Sequence, residues 1–190
     1  MPRMIDGENA EPMNENTMRV MLTEIGDRLS SPVEIAATGG GVVLLVYRYD
    51  GTTDDLDSVL RSSTDAGREL WALVDEVAAE HDIGPRWLND SVANIIPGEK
   101  ILAAVNRREH FGKNLTVGYV SDEFLLASKC QAARPKDRPQ TVFLLRTIGY
   151  TEPAAVLAVT FLHFPEKSSG ADRELIESFI EECFWEIKGW

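Results

Sequence analysis

Three consecutive glycines, Gly39-Gly40-Gly41, separate two apolar runs, Val33 to Ala37 and Val42 to Tyr47. Glycine weakens the interior of a strand or helix, so a run of three marks a turn. Lacking side chains, the turn also leaves its N–H groups open to close approach by an anion. Val33 to Ala37, with its β-branched residues alternating, reads as a short strand entering that turn. Arg48 to Thr53, with Asp50-Gly51 inside it, is a second turn. Asp55 to Leu60 then reads as a strand that opens with two carboxylates, Asp55 and Asp57. Residues i and i+2 of a strand point to one face, so this pair can grip a single cation.

The remaining pattern is arranged around this strand, turn and strand. Residues 1–15 are acidic with little hydrophobic periodicity, and are expected to be a flexible tail. Asn16 or Thr17 can cap a helix to Leu29, with Val20, Met21, Ile25 and Leu29 on one face, and Ser30-Ser31-Pro32 stops it. Val42 to Tyr47 has the composition of a strand and the position of a buried helix, and periodicity does not separate the two over so short a run. Ser63 or Thr64 caps a helix over 65–80 that turns Leu70, Leu73, Val74 and Val77 inward. After the turn Ile83-Gly84-Pro85, Arg86 to Asp90 is expected to begin a short helix that Ile95-Ile96-Pro97-Gly98 ends. Leu115 to Val120 is a further strand. From Ser121 the pattern is helical, over 122–133, 137–148, 152–163 and 171–186, and Ser121-Asp122-Glu123 supplies a cap and first-turn acids. The expected fold class is α+β: a small mixed-sheet lobe over 16–120, then a helical lobe over 121–190.

No apolar run reaches the ~18 residues of a membrane span, and Met1 to Asn16 is polar and acidic, unlike a signal or transit peptide. Cys130 and Cys183 are too few for a disulfide framework and both fall in apolar helical patterns, so buried thiols and a cytoplasmic setting are expected. The net charge of −12 argues against non-specific binding to DNA, which phosphate neutralisation drives. Basic residues gather in two places, Arg107, Arg108 and Lys113, and Lys129, Arg134, Lys136 and Arg138; such groups are ordinarily solvated faces.

The glycines fit neither common phosphate-binding fingerprint. Leu44 stands where a dinucleotide-binding turn needs its last glycine, and no Gly-Lys-Ser/Thr follows. A phosphate cradle beside a paired-carboxylate Mg²⁺ site is instead what transfer of a nucleotide requires. The order of glycine turn, Thr52-Thr53 and Asp55-Leu56-Asp57 resembles the signature of DNA polymerase β-like nucleotidyltransferases. Arg86-Trp87-Leu88-Asn89-Asp90 resembles the Trp-Leu-Asn-Asp segment of small bacterial nucleotidyltransferases of the AbiEii and MenT type, many of them toxin–antitoxin partners. Phe124-Leu125-Leu126-Ala127-Ser128-Lys129 resembles that family's Leu-Leu-Ala-x-Lys helix, and Arg134-Pro135-Lys136-Asp137 its following Arg-x-x-Asp. These matches span roughly residues 33–150.

The resemblance implies a helix at Val42 to Tyr47 and a nucleotidyltransferase-like lobe over 16–120. It implies that Asp55 and Asp57 hold Mg²⁺ bridging a nucleoside triphosphate, and that Gly40, Gly41 and Thr53 cradle its phosphates. Lys129 would neutralise triphosphate charge and Asp137 would complete the acidic site. The acceptor would be a tRNA 3′ end or a protein side chain, and a cognate toxin or antitoxin is an implied partner. Competing roles exist: a lysine in an apolar helix can snorkel to water, Asp137 can be a helix N-cap, and Trp87 reads first as a packing anchor. The chain departs from the pattern at Gly51, where an arginine is usual, at Gln140, where a second acid is usual, and in Leu115 to Val120, which carries no third carboxylate. The alternative is therefore a catalytically degenerate binding protein on the same fold, or an antitoxin partner.

Overall fold

The computed structural model describes residues 12–61 and 64–189. Ser63, one of two residues expected to cap the second long helix, lies outside these, as do residues 1–11 of the expected tail. Contacts divide the chain into two compact units, one up to Val120 and the other from Ser121.

The first unit runs α1 (Glu15–Arg28), β1 (Val33–Thr38), α2 (Gly39–Tyr47), β2 (Leu56–Leu60), α3 (Thr64–Glu80), β3 (Leu88–Asn89), α4 (Gly98–Ala103), β4 (Val105–Phe111) and β5 (Leu115–Val120). Its five strands form one mixed sheet in the order β3-β2-β1-β5-β4. β1 is antiparallel to β2 and parallel to β5, β4 is antiparallel to β5, and β3 runs parallel to β2. The fold class is α+β, with a helical C-terminal region.

α1 is capped by Asn14, two residues before Asn16 and three before Thr17, the expected caps. Asn14 Oδ1 accepts from Thr17 N at 2.9 Å, Glu15 sits in the first turn and Arg28 in the last, where the helix dipole favours each. Residues 12–15 also depart from the expected loose tail, because Met13 is buried and exchanges two backbone hydrogen bonds with Thr53. α2 is a helix despite its strand-like composition. Gly41 to Leu45 are buried in sequence, so burial rather than propensity decides its state. β3 replaces the helix expected at Arg86. Trp87 is buried and its carbonyl accepts from Leu56 N at 2.6 Å, which holds this segment extended along β2. A 3₁₀ turn, Ser91–Asn94, follows it.

One residue ties α1 to the sheet. Asn114, in the turn between β4 and β5, donates from its backbone N to Gly26 O (2.9 Å) and from Nδ2 to Leu29 O (2.7 Å). Its carbonyl accepts from Val33 N (2.7 Å) at the entry to β1.

The second unit contains α5 (Asp122–Ala132), a 3₁₀ turn at Pro135–Asp137, α6 (Arg138–Ile148), α7 (Pro153–His163) and α8 (Gly170–Lys188). α5 packs against all three other helices. Phe124 to Cys130 are accordingly buried without interruption, as expected of a helix enclosed on every side. Ser121 Oγ accepts from Phe124 N at its N-cap. Among the described residues no single helix is long and apolar enough to cross a membrane.

Asn114→Ala removes the Nδ2 donor and leaves the Leu29 carbonyl without it. We expect a loss of about 1–3 kcal/mol in folding stability, read by denaturant unfolding.

Candidate functional site

In the first unit the sheet brings the glycine turn against the acid pair. The β1–β2 register sets Thr38 opposite Asp57, and the β2–β3 register sets Asn89 opposite Asp57 on the other side. Asp57 is thus flanked by two strands, while Asp55 lies just ahead of β2, and both are half-buried. Directly after Thr38 the chain turns into α2 through Gly39, whose φ is +76°. A Cβ at Gly39 would stand 2.7 Å from Asp57 Oδ2, and one at Gly41 would meet Leu56 Cδ1 at 2.6 Å. Glycine is therefore favoured at Gly39 by its left-handed backbone, and at Gly41 a Cβ would make Leu56 Cδ1 move and crowd the β2 backbone at 3.2 Å. The Asp57 carboxylate stands at the first turn of α2, where helix N–H groups have no intrahelical acceptor.

The other residues expected here have defined places. Gly40 sits half-buried in the first turn of α2. The Thr53 hydroxyl donates to the Asp55 carbonyl at 3.2 Å, and the Thr53 backbone pairs with Met13, so this residue shapes the turn that delivers the acids. Trp87 Nε1 donates to Val74 O at 3.4 Å and the ring is buried, which is an anchor's role. Asn89 braces its own loop, donating from Nδ2 to Arg86 O (3.0 Å) and accepting from Ser91 N at Oδ1 (2.9 Å).

Two features went unread in the sequence. Gly39, rather than its neighbours alone, carries the left-handed backbone and touches the carboxylate. Thr38 is buried at the N-cap position of α2 without making a capping bond, and its Oγ1 has no hydrogen-bond partner. A buried polar oxygen without a partner calls for an explanation, and this one is paired in register with Asp57. The signal for Thr38 was its place between strand end and glycines.

Among the described residues no group of three or more His, Cys, Asp or Glu side chains is placed to hold a metal ion. β5 carries no carboxylate, and Glu109 on neighbouring β4 is engaged by the Tyr119 hydroxyl (2.8 Å) and by Arg19 (2.7 Å). Mg²⁺ characteristically takes one or two carboxylates and completes its shell with water and substrate phosphate. The Asp57 carboxylate at the N-terminus of α2, with Asp55 two residues earlier in the chain and the orphaned Thr38 hydroxyl opposite in register, fits that donor set.

In the second unit the structure joins Lys129 to Asp137. Lys129 Nζ donates to Asp137 Oδ1 at 3.0 Å, and Arg134 Nε donates to Asp137 Oδ2 at 2.6 Å. Lys129 is only 3% exposed, so its ammonium does not snorkel to water. Asp137 holds the N-cap position of α6 but makes no side-chain cap bond, because both carboxylate oxygens face cations. Burial alone would push the Asp137 carboxyl up. The Lys129 charge and the hydrogen bonds from Arg134 and Lys129 outweigh it and hold the group below its ordinary range. Cys130 and Cys183 are both free and buried, and burial raises both thiols, Cys183 to about 12, which leaves them inert.

No protein-family model, curated protein or solved structure matches the chain.

Gly39→Ala forces a side chain into the left-handed region and against Asp57. We expect a stability loss of at least about 1–2 kcal/mol by denaturant unfolding. Lys129→Met removes one of the two cations on the buried Asp137 and leaves Arg134 as the other, so it is expected to cost about 1–3 kcal/mol at neutral pH. A depressed carboxyl contributes stability above its unfolded value, near pH 4, and loses it as pH falls through the folded value. The gap between wild type and Lys129→Met should therefore close on acidification below about pH 4, checked by unfolding curves across that range.

Proposed function

We propose that this protein is a Mg²⁺-dependent nucleotidyltransferase that moves a nucleotide from a nucleoside triphosphate to an RNA, at a tRNA 3′ end, or to a protein acceptor, in a toxin–antitoxin setting. The observation that supports this best is local. The glycines that open α2 straight after β1, Asp57 on β2 and Leu88-Asn89 on β3, separate in the sequence, meet around Asp57. Three parts of one resemblance thereby become one hydrogen-bonded sheet end.

The chemistry follows from the donors present. Asp55 and Asp57 would hold the metal, which when bound supplies positive charge to a triphosphate. The N–H groups at the start of α2, opened by Gly39, Gly40 and Gly41, would receive phosphate oxygens. Thr38 Oγ1 would gain the partner it lacks. Attack of an acceptor hydroxyl on the α-phosphate forms the new phosphoester bond, and pyrophosphate leaves with the electrons of the broken one. The resemblance further assigns Lys129 to triphosphate charge and Asp137 to the acidic site. What the second unit itself supplies is a buried ammonium held beside a carboxylate.

A second reading, a degenerate binding protein on this fold, is favoured by the lack of a carboxylate on β5. Calorimetric titration with Mg-ATP and Mg-CTP, together with transfer of α-labelled nucleotide to tRNA and to lysate proteins, separates the two. We expect Asp55→Ala/Asp57→Ala to weaken nucleotide binding by about ten- to a hundredfold, equivalent to ~1.5–3 kcal/mol for losing bonds to a charged group. Binding that needs the acids, without any transfer, selects the degenerate reading, and binding indifferent to both acids overturns each. Thr38→Val should leave the unliganded protein as stable or more stable, since the hydroxyl is unpartnered, while lowering nucleotide affinity.

A further inference from the structure

α2 has no anion of its own at its start. Its first turn contains no acid, and Thr38 at its N-cap position makes no capping bond. The N–H groups of Gly39, Gly40 and Gly41 have no intrahelical acceptor. Gly41 is buried, and Gly39 and Gly40 are half-buried, so these groups call for a partner supplied by the protein. The Asp57 carboxylate is placed to be one. Its Oδ2 lies 2.7 Å from where a Gly39 Cβ would stand and its Cγ lies at 3.5 Å. The β1–β2 register holds it there from the neighbouring strand. Negative charge at the N-terminal end of a helix is stabilised by the helix dipole.

From this placement we infer that Asp57 is the cap of α2, supplied from β2, and that it bars phosphate from α2 until a divalent cation draws it away. The inference rests on the reading that phosphate is received at the start of α2. A carboxylate and a phosphate compete there for the same N–H groups, and each repels the other. Where Mg²⁺ is present, the carboxylate turns to the cation and the N–H groups pass to phosphate. The site thereby refuses free phosphate and admits metal-bound phosphate.

Thr38 is the second observation at this place. Its hydroxyl is 1% exposed and its Oγ1 has no hydrogen-bond partner. Asp57 therefore serves the helix without serving the hydroxyl beside it, which is left for the incoming phosphate. Asp55 has no capping duty, because it lies ahead of β2 and outside the register that faces Thr38. The two acids carry the same charge and differ in this one role, which makes them a matched pair for a test.

Pyrophosphate is the probe, titrated calorimetrically into the full chain in buffer stripped of divalent cations and again with Mg²⁺. Without metal, Asp57→Ala should bind it at least about tenfold tighter than wild type, ~1.4 kcal/mol. Asp55→Ala removes the same charge but no cap, and should gain about twofold at most. With Mg²⁺ the order should reverse, wild type binding more tightly than Asp57→Ala. Asp57→Asn keeps a capping acceptor, so without ligand it should unfold at a higher urea midpoint than Asp57→Ala. Asp57→Ser takes the place of Asp57→Ala if the alanine variant does not fold. Equal gains in the two alanine variants reduce the effect to relief of charge and overturn the inference. So does a lack of metal-free binding in both, an order unchanged by Mg²⁺, or an Asp57→Asn no more stable than Asp57→Ala. If Mg-ATP still binds through the acids in any of those cases, the nucleotide reading stands without the cap. If the cap behaves as expected with pyrophosphate and Mg-ATP is ignored, the nucleotide reading alone falls.

Discussion

The pairing of β1 with β2, in the register that sets Thr38 opposite Asp57, is the constraint on which the first unit turns. The two strands are antiparallel neighbours, so everything between them must leave and return at one end of the sheet. α2 fills that excursion. It begins with no linker at the last residue of β1, and its first turn lies so close to β2 that a side chain at Gly39 or Gly41 would press on Asp57 or Leu56. The same closeness explains why α2 is apolar along its length, for Gly41 to Leu45 are all buried. On the far side of β2, the Trp87 carbonyl takes the Leu56 N–H, so the strand bearing the acids is held from both edges.

The second unit is built by a different rule. A helix surrounded on all sides normally excludes charge, yet α5 carries Lys129 at its buried end. Removing an ammonium from water costs several kcal/mol unless it is paired and hydrogen-bonded. Asp137 supplies the partner, and Arg134, half in water, neutralises what remains of the carboxylate. Apolar residues of similar volume replacing both members of such a pair are often neutral or stabilising, whereas removing one member alone is costly. That the chain keeps an ion pair there is consistent with a role for the charge beyond packing.

How much of this was legible in the sequence differs by element. The helices of the second unit announced themselves through their pattern and, at Ser121-Asp122-Glu123, through a cap and first-turn acids. β1, β2 and β5 were equally plain. β4 was not, because it is an edge strand whose residues Asn106, Arg107, Arg108 and His110 face water, so the alternation that marks a half-buried strand is missing. α4 is too short to show a period. Arg86 to Asp90 looked helical because its backbone partner, Leu56, is thirty positions away and invisible to local propensity. At the candidate site the acids and glycines could be named from their types. The orphaned Thr38 hydroxyl and the left-handed Gly39 could not, since each is defined only by what the completed fold places, or fails to place, around it.

On the proposed reading, a site with only two carboxylates has a consequence for how its ligands bind. Two carboxylates leave most of a divalent ion's shell to water and phosphate, so metal and nucleotide each supply part of the other's site. Their affinities are then linked, and the linkage is reciprocal: whatever factor the metal adds to nucleotide binding, the nucleotide adds to metal binding. The net charge of −12 works in the same direction. It opposes a free triphosphate at long range, but at physiological salt that repulsion fades over about 8 Å, whereas the helix N–H groups and a shared cation act at contact. Approach of the metal-bound nucleotide, with much of its charge already cancelled, is therefore favoured over approach of the free triphosphate.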